Sequence, residues 1–139
     1  MGLSIGGHAV RLYGQEADMK YMLLIYSDEK TWAAMSDAER QAMMGEYLKF
    51  SADIKTSGHW QAGAPLQAVS TATSVRVRDG KRAVTDGPFA ETREQLGGYY
   101  LVEAKDLDEA IGLAARIPGA RVGSIEVRPV MPIPAAVAS

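Results

Sequence analysis

Two segments of the sequence are apolar on both alternating faces, and they limit the folds open to this chain. Residues 21–26 read YMLLIY and residues 98–104 read GYYLVEA, so neither segment has a polar side to turn towards water. Segments of this kind are typical of strands in the centre of a sheet that is covered on both faces. The fold must therefore supply cover for both faces of one sheet.

Two helices are predicted between the strands. The first begins at a capping box formed by Ser36 and Glu39 and ends at Gly58, a common helix stop. The second is capped by Asp106 and stops before Pro118. The apolar spacing of the first helix predicts an inward face made of Met43, Met44, Tyr47, Leu48, Ser51 and Ile54.

The remaining strands complete a recognisable order of elements. Strands are predicted at 59–64 and 124–128, and a hairpin at 74–78 and 82–85 is joined by the strong turn signal Asp-Gly. The order predicts an α+β, ferredoxin-like βαββαβ fold with an inserted β-hairpin. Two helices cover only one face of such a sheet, so we expect a second copy of the chain to cover the other face in a homodimer.

The length of 139 residues fits one domain. We expect residues 1–18 to form a flexible leader, residues 19–131 the folded domain, and residues 132–139, which are broken by proline, a loose C-terminal tail.

Composition excludes several classes of function. The net charge is -2 with acids and bases spread along the chain, so we expect no direct binding to nucleic acid. The chain has no cysteine and no apolar run as long as a membrane span, roughly 18 residues, so we expect a cytoplasmic protein without membrane insertion. The histidines His8 and His59 lie in unrelated places, and we expect neither a metal nor another cofactor.

The segment TDGPFAE, residues 85–91, is the strongest candidate for a site. Asp86 and Glu91 are candidate catalytic acids or bases, because neighbouring carboxylates raise one another's pKa. The structural alternative is that Asp86 caps a turn at Gly87 and that Glu94 faces solvent.

Several other residues are each open to two interpretations. Phe89 is either a plug into the domain or the aromatic wall of a binding pocket, and Thr92 with Gln95 is suited to cap a short helical turn. His59 is either a base beside a carboxylate or a residue that stabilises a helix end. Tyr26 and Tyr47 are core or interface residues that become binding residues if they share a cavity.

From residue 20 to about residue 131 the chain resembles the YCII-related proteins of the DGPF subgroup. The motif stands here as residues 86–89, and the similarity continues through AETREQLGGYYLVEA, LDEA and IEVRPV. The resemblance implies a ferredoxin-like α+β fold assembled as a dimeric α+β barrel. It also implies kinship with small-molecule enzymes without organic cofactors, such as muconolactone isomerases and related dehalogenases. The classical YCII branch is associated with a His and Asp pair, but the first helix here has no histidine, and Tyr47 is its nearest polar aromatic residue.

Two functions follow as hypotheses. The first is a small-molecule-binding protein, a cofactor-independent enzyme that uses carboxylate proton transfer in a cleft near the DGPF motif. The alternative is a non-catalytic accessory or sensor protein in an extracytoplasmic-function sigma-factor pathway, because genes of the subgroup are often neighbours of such factors.

Overall fold

The computed structural model describes residues 19–134 of the chain. The predicted leader with His8, and the last part of the predicted tail, lie outside the described residues. The strands are β1 (Met19–Ser27), β2 (Trp60–Pro65), β3 (Thr73–Arg78), β4 (Lys81–Asp86), β5 (Gln95–Ala104) and β6 (Ser124–Pro129). The helices are α1 (Glu29–Ala34), α2 (Asp37–Thr56) and α3 (Leu107–Ala115), with short 3-10 turns at Val69–Thr71 and Pro118–Arg121.

The main sheet has four antiparallel strands in the order β2-β5-β1-β6. Both segments that are apolar on two faces lie at its centre, where β1 pairs with β5 from Met19 opposite Ala104 to Ser27 opposite Gln95. This arrangement is an α+β fold consistent with the predicted ferredoxin-like class.

One face of the sheet carries the hydrophobic core. Tyr21, Leu23 and Ile25 of β1 are buried there against α2 and α3. The remaining core residues are Phe50, Ile54, Tyr100, Val102, Ala104, Ala110, Leu113, Ala114 and Ile117. On the other face, which we call the open face, Met22 and Leu24 are only half-buried, because α2 and α3 contribute their core residues to the first face.

The helix α2 begins at the predicted capping box, in which the Ser36 hydroxyl accepts from the Glu39 amide and the Glu39 carboxylate accepts from the Ser36 amide. Its predicted inward face is partly wrong. Met44 and Leu48 are 48% and 66% exposed, whereas Phe50 is buried. Positions 47, 50, 51 and 54 obey the same three- and four-residue spacing, so the pattern alone did not choose between two neighbouring faces.

The helix α1 was not predicted, because six residues are too few to show a helical period. Asp28 caps it by accepting from the Lys30 amide at 2.9 Å. The Glu29 amide donates to Gln95 Oε1 at 2.9 Å, and the Glu29 carboxylate accepts from the Val69 amide at 2.9 Å. These two bonds tie α1 to the beginning of β5 and to the segment that precedes β3.

The strands β3 and β4 form a separate two-stranded antiparallel sheet, which we call the hairpin. Its turn residues Asp79 and Gly80 have φ angles of 52° and 74°. Positive φ at both central positions is the signature of a type I′ turn, whose twist matches that of the flanking strands. Nearly every side chain of the hairpin is exposed.

Within residues 19–134, no helix is long and apolar enough to cross a membrane.

Candidate functional site

The hairpin presents two chemically different faces, because side chains alternate along each strand and opposite residues share a side. What we call the valine face holds Thr73, Val75 and Val77 of β3 opposite Asp86, Val84 and Arg82 of β4. What we call the cationic face holds Ser74, Arg76 and Arg78 of β3 opposite Thr85, Ala83 and Lys81 of β4.

A cavity of about 320 Å³ lies on the cationic face. Four of its lining residues come from the hairpin and the fifth is Phe89 of the DGPF segment; they are Ser74, Arg76, Ala83, Thr85 and Phe89. The wall therefore combines a guanidinium group, two hydroxyl groups, a methyl group and a phenyl ring. Ser74, Arg76 and Thr85 were not predicted, since in the sequence they are only alternate residues of a strand.

The bend of the DGPF segment brings Phe89 to the cavity. Gly87 has a φ angle of 97°, which confirms the unusual backbone expected there and which residues with a Cβ rarely adopt. Its amide donates to the Ala72 carbonyl at 2.6 Å, and its carbonyl accepts from the Ser74 hydroxyl at 2.8 Å. Phe89 is 78% exposed, so it lines the cavity and does not plug the core.

The two predicted acids lie near this bend and are exposed. Asp86 ends β4 opposite Thr73, so its register places it on the valine face and away from the cavity face. Within residues 19–134 no hydrogen bond or ion pair engages the carboxylate of Asp86 or Glu91. The turn is therefore stabilised by the hydrogen bonds of Gly87 with Ala72 and Ser74, and not by the Asp86 side chain that the sequence suggested for this role.

The segment between Phe89 and β5 is irregular, and the short helical turn suggested for it does not form. The Thr92 hydroxyl donates to the Glu94 carbonyl at 2.5 Å, and the Gln95 side chain donates to the Thr92 carbonyl at 2.6 Å. Gln95 also accepts from the Glu29 amide. This side chain therefore links the end of the DGPF segment to α1.

Tyr47 lies in a separate polar cluster between α2 and the sheet. The Tyr100 hydroxyl shares a 2.8 Å hydrogen bond with Ser51, and the Tyr100 ring packs edge-on against Phe50 with centroids 5.1 Å apart. Burial raises the pKa of both Tyr47 and Tyr100, although a hydrogen bond from the Gly119 backbone opposes the rise at Tyr47. Both phenols are therefore neutral at physiological pH.

His59 and Tyr26 lie at two other places. His59 Nδ1 is 2.6 Å from the Ser57 hydroxyl and Nε2 is 3.4 Å from the Glu109 carboxylate, so the imidazole joins the end of α2 to the first turn of α3. Tyr26 stands opposite Leu96 on the open face of the sheet. The polar contacts of His59 in the described chain do not include Asp86 or Glu91.

Within residues 19–134, no three His, Asp or Glu side chains are grouped closely enough to hold a metal ion.

The fold and site together define a small α+β protein in which the hairpin and the DGPF bend line an open cavity with one guanidinium group in its wall. Residues 19–134 match the YCII-related domain, so the chain belongs to the YCII-related family. It is also similar to an uncharacterised protein of Rhizobium meliloti (strain 1021), with 37% identity over 113 residues that span 80% of this chain and 91% of the relative.

Proposed function

We propose that this chain is a small-molecule-binding protein of the DGPF subgroup, with its ligand in the cavity between the hairpin and Phe89. The observation that carries the proposal is the cavity itself, which combines an aromatic wall with hydrogen-bond donors. Ligand sites in proteins typically combine apolar walls with a few polar groups that fix the orientation of the ligand. A second support is the bend at Gly87. Its positive φ angle is an unusual backbone conformation of the kind found at functional sites, and the bend leaves the Phe89 side chain exposed.

We further propose that the protein assembles as a symmetric homodimer, a dimeric α+β barrel in which the open faces of two sheets meet. Met22 and Leu24 on the open face are apolar. Val75, Val77 and Val84 are 58%, 60% and 57% exposed on a hairpin that stands apart from the main sheet. An isolated two-stranded hairpin is marginally stable in water, so a partner surface against the valine face would supply the missing burial.

Catalysis by proton transfer is the enzymatic form of this proposal. Asp86 ends β4 on the valine face, away from the face of the cavity, so in the proposed dimer it can act only on a ligand that reaches the rim of the contact between subunits. A carboxylate at that position is a candidate general acid or base. Glu91 follows on the exposed side of the DGPF bend and is the second candidate. No organic cofactor enters this scheme.

Thermal stabilisation by a panel of small organic acids and lactones tests the binding proposal. We expect at least one compound to raise the Tm of the wild-type protein, and Phe89→Ala to abolish that shift. Ile111→Ala is the matched control, because Ile111 is an exposed apolar residue on α3 away from the cavity. Equal shifts in the wild type and in Phe89→Ala would contradict a site at this cavity.

The competing proposal is a non-catalytic accessory or sensor role in an extracytoplasmic-function sigma-factor pathway, favoured by the exposed valines of the hairpin. An extracytoplasmic-function sigma factor should then bind the chain in isothermal titration, and Val77→Glu should abolish that binding. In this case Phe89→Ala would leave the binding intact. Both proposals place the protein in the cytoplasm.

A further inference from the structure

The cationic face of the hairpin is positive without a compensating acid. Arg76, Arg78 and Lys81 project from its six positions, and none of the six is Asp or Glu. Since alternate residues on a strand stand about 7 Å apart, these cations reinforce one another's field along this face. The positive charge is local to this face of the hairpin, because the chain as a whole carries a net charge of -2.

Inside the cavity the free hydrogen-bonding groups include the Arg76 guanidinium, which only donates, and the Thr85 hydroxyl, which can donate or accept. The Ser74 hydroxyl already donates to the Gly87 carbonyl. Within residues 19–134, no hydrogen bond or ion pair engages the Arg76 guanidinium or the Thr85 hydroxyl. A guanidinium presents its N–H groups as a planar fork that matches the two oxygens of a carboxylate.

Part of the cavity wall is apolar. The Phe89 ring and the Ala83 methyl group line it together with the polar groups. At about 320 Å³ the cavity is at the small end of the range of ligand pockets, roughly 300–1,000 Å³. It therefore suits a compact molecule with a flat apolar part and one anionic end.

We propose that the ligands of this site are small organic acids, with the carboxylate held bidentately by Arg76 and the apolar part packed against Phe89. This inference rests on the proposed small-molecule function and names the class of ligand. Thr85 donates a further hydrogen bond to the carboxylate, and Arg78 adds attraction from outside the cavity without direct contact.

Isothermal titration with matched probes tests the inference. Benzoate carries both features, benzamide has the same shape without the charge, and inorganic phosphate has charge without an apolar part. We expect benzoate to bind roughly tenfold more tightly than benzamide, because hydrogen bonds to charged groups are the stronger ones. Phosphate should bind more weakly than benzoate, since it leaves Phe89 without a partner.

Arginine variants locate the interaction. Arg76→Gln should weaken benzoate binding by at least about tenfold and leave benzamide binding within about twofold. Arg76→Lys keeps the charge but loses the planar fork, so its effect should be intermediate. Arg78→Gln is the matched control on the same face outside the cavity, and it should weaken benzoate binding by less than about threefold.

The outcomes separate this inference from the function on which it rests. Equal binding of benzoate and benzamide, with no effect of Arg76→Gln, would overturn carboxylate recognition and leave a neutral-ligand site standing. Phosphate binding as tight as that of benzoate would overturn the aromatic part of the inference. A wild-type protein that none of the organic acids, amides or lactones stabilises would overturn the inference and the proposed function together.

Discussion

The Ser74 hydroxyl donates to the carbonyl oxygen of Gly87 at 2.8 Å, which ties the first strand of the hairpin to the DGPF bend. The Gly87 amide donates to the Ala72 carbonyl at 2.6 Å, so this residue is held on both sides by the segment around the start of β3. Phe89 follows two residues later and forms the cavity wall. The shape of the candidate site therefore depends on the conformation of Gly87.

Gly87→Ala should lower the free energy of unfolding by roughly 1–2 kcal/mol, because a residue with a Cβ is strained at a φ angle of 97°. A Cβ there meets nothing within 4 Å, so the loss would report backbone strain and not a clash. Gly112→Ala is the control, since Gly112 is helical and equally unobstructed; it should raise stability by roughly 0.5–1 kcal/mol. Urea denaturation measures both, and unchanged stability in Gly87→Ala would contradict the bend.

Much of the fold was predictable from local patterns. The two central strands, the capping box at Ser36 and Glu39, and the turn at Asp79 and Gly80 each follow from a pattern within a few residues. The position of Gly87 as the bend was predictable for the same reason. The inward face of α2 was not, because two overlapping sets of residues satisfy the helical period.

The composition of the cavity could not be predicted in the same way. Ser74 and Arg76 meet Phe89 only because the chain folds back at Gly87, and nothing in their spacing records that meeting. The contact of His59 with Glu109 likewise joins residues far apart in the sequence. Contacts of this kind depend on tertiary structure, whereas Asp86 and Glu91 were conspicuous in the sequence because one begins the motif and the other follows it by two residues.

The free energy of unfolding should fall at alkaline pH because the buried tyrosine phenols ionise more readily in the unfolded chain. Burial raises the pKa of Tyr21, Tyr47 and Tyr100 above the ordinary value of 10.0. The unfolded chain then releases these protons first, so their contribution to stability is complete below about pH 10 and is lost as pH rises through the folded pKa values.

Tyr100→Phe should make the alkaline loss shallower, because one of these phenols no longer titrates. At neutral pH the same variant should lose about 1 kcal/mol, since Ser51 is left without its partner. Denaturation followed from pH 8 to pH 11 measures both effects. The same steep alkaline fall in Tyr100→Phe as in the wild type would contradict the assignment to Tyr100.

Substitutions of Asp86 separate a structural role from a chemical one. Because its carboxylate is exposed and unbonded within the described chain and stands at the rim of the proposed contact between subunits, Asp86→Asn and Asp86→Ala should both change the free energy of unfolding by less than about 0.5 kcal/mol. If Asp86 transfers a proton, Asp86→Asn also abolishes any turnover of the ligand, and Glu91→Gln is the parallel test for the second acid. A loss of more than about 1 kcal/mol in Asp86→Ala would restore the turn-capping role.

The proposed dimer is tested by light scattering. We expect a mass of two chains at micromolar concentration, and Val77→Glu should shift the protein towards monomer or unfold it, since a charge then faces the partner. Leu48→Glu is the matched control, because Leu48 is 66% exposed on α2 and Val77 is 60% exposed on the hairpin. A folded wild-type monomer under these conditions would disprove the dimer.

Binding of a small molecule in the cavity between the hairpin and Phe89 is the proposal on which the others depend. Amide NMR shifts of the ¹⁵N-labelled protein, titrated with the panel compound that raises the Tm most, test it directly. We expect the largest shift changes at Ser74, Arg76, Thr85 and Phe89, with saturation at the affinity found by titration calorimetry. Shift changes centred instead on His59 and Glu109, or no changes at the hairpin at saturating ligand, would contradict it.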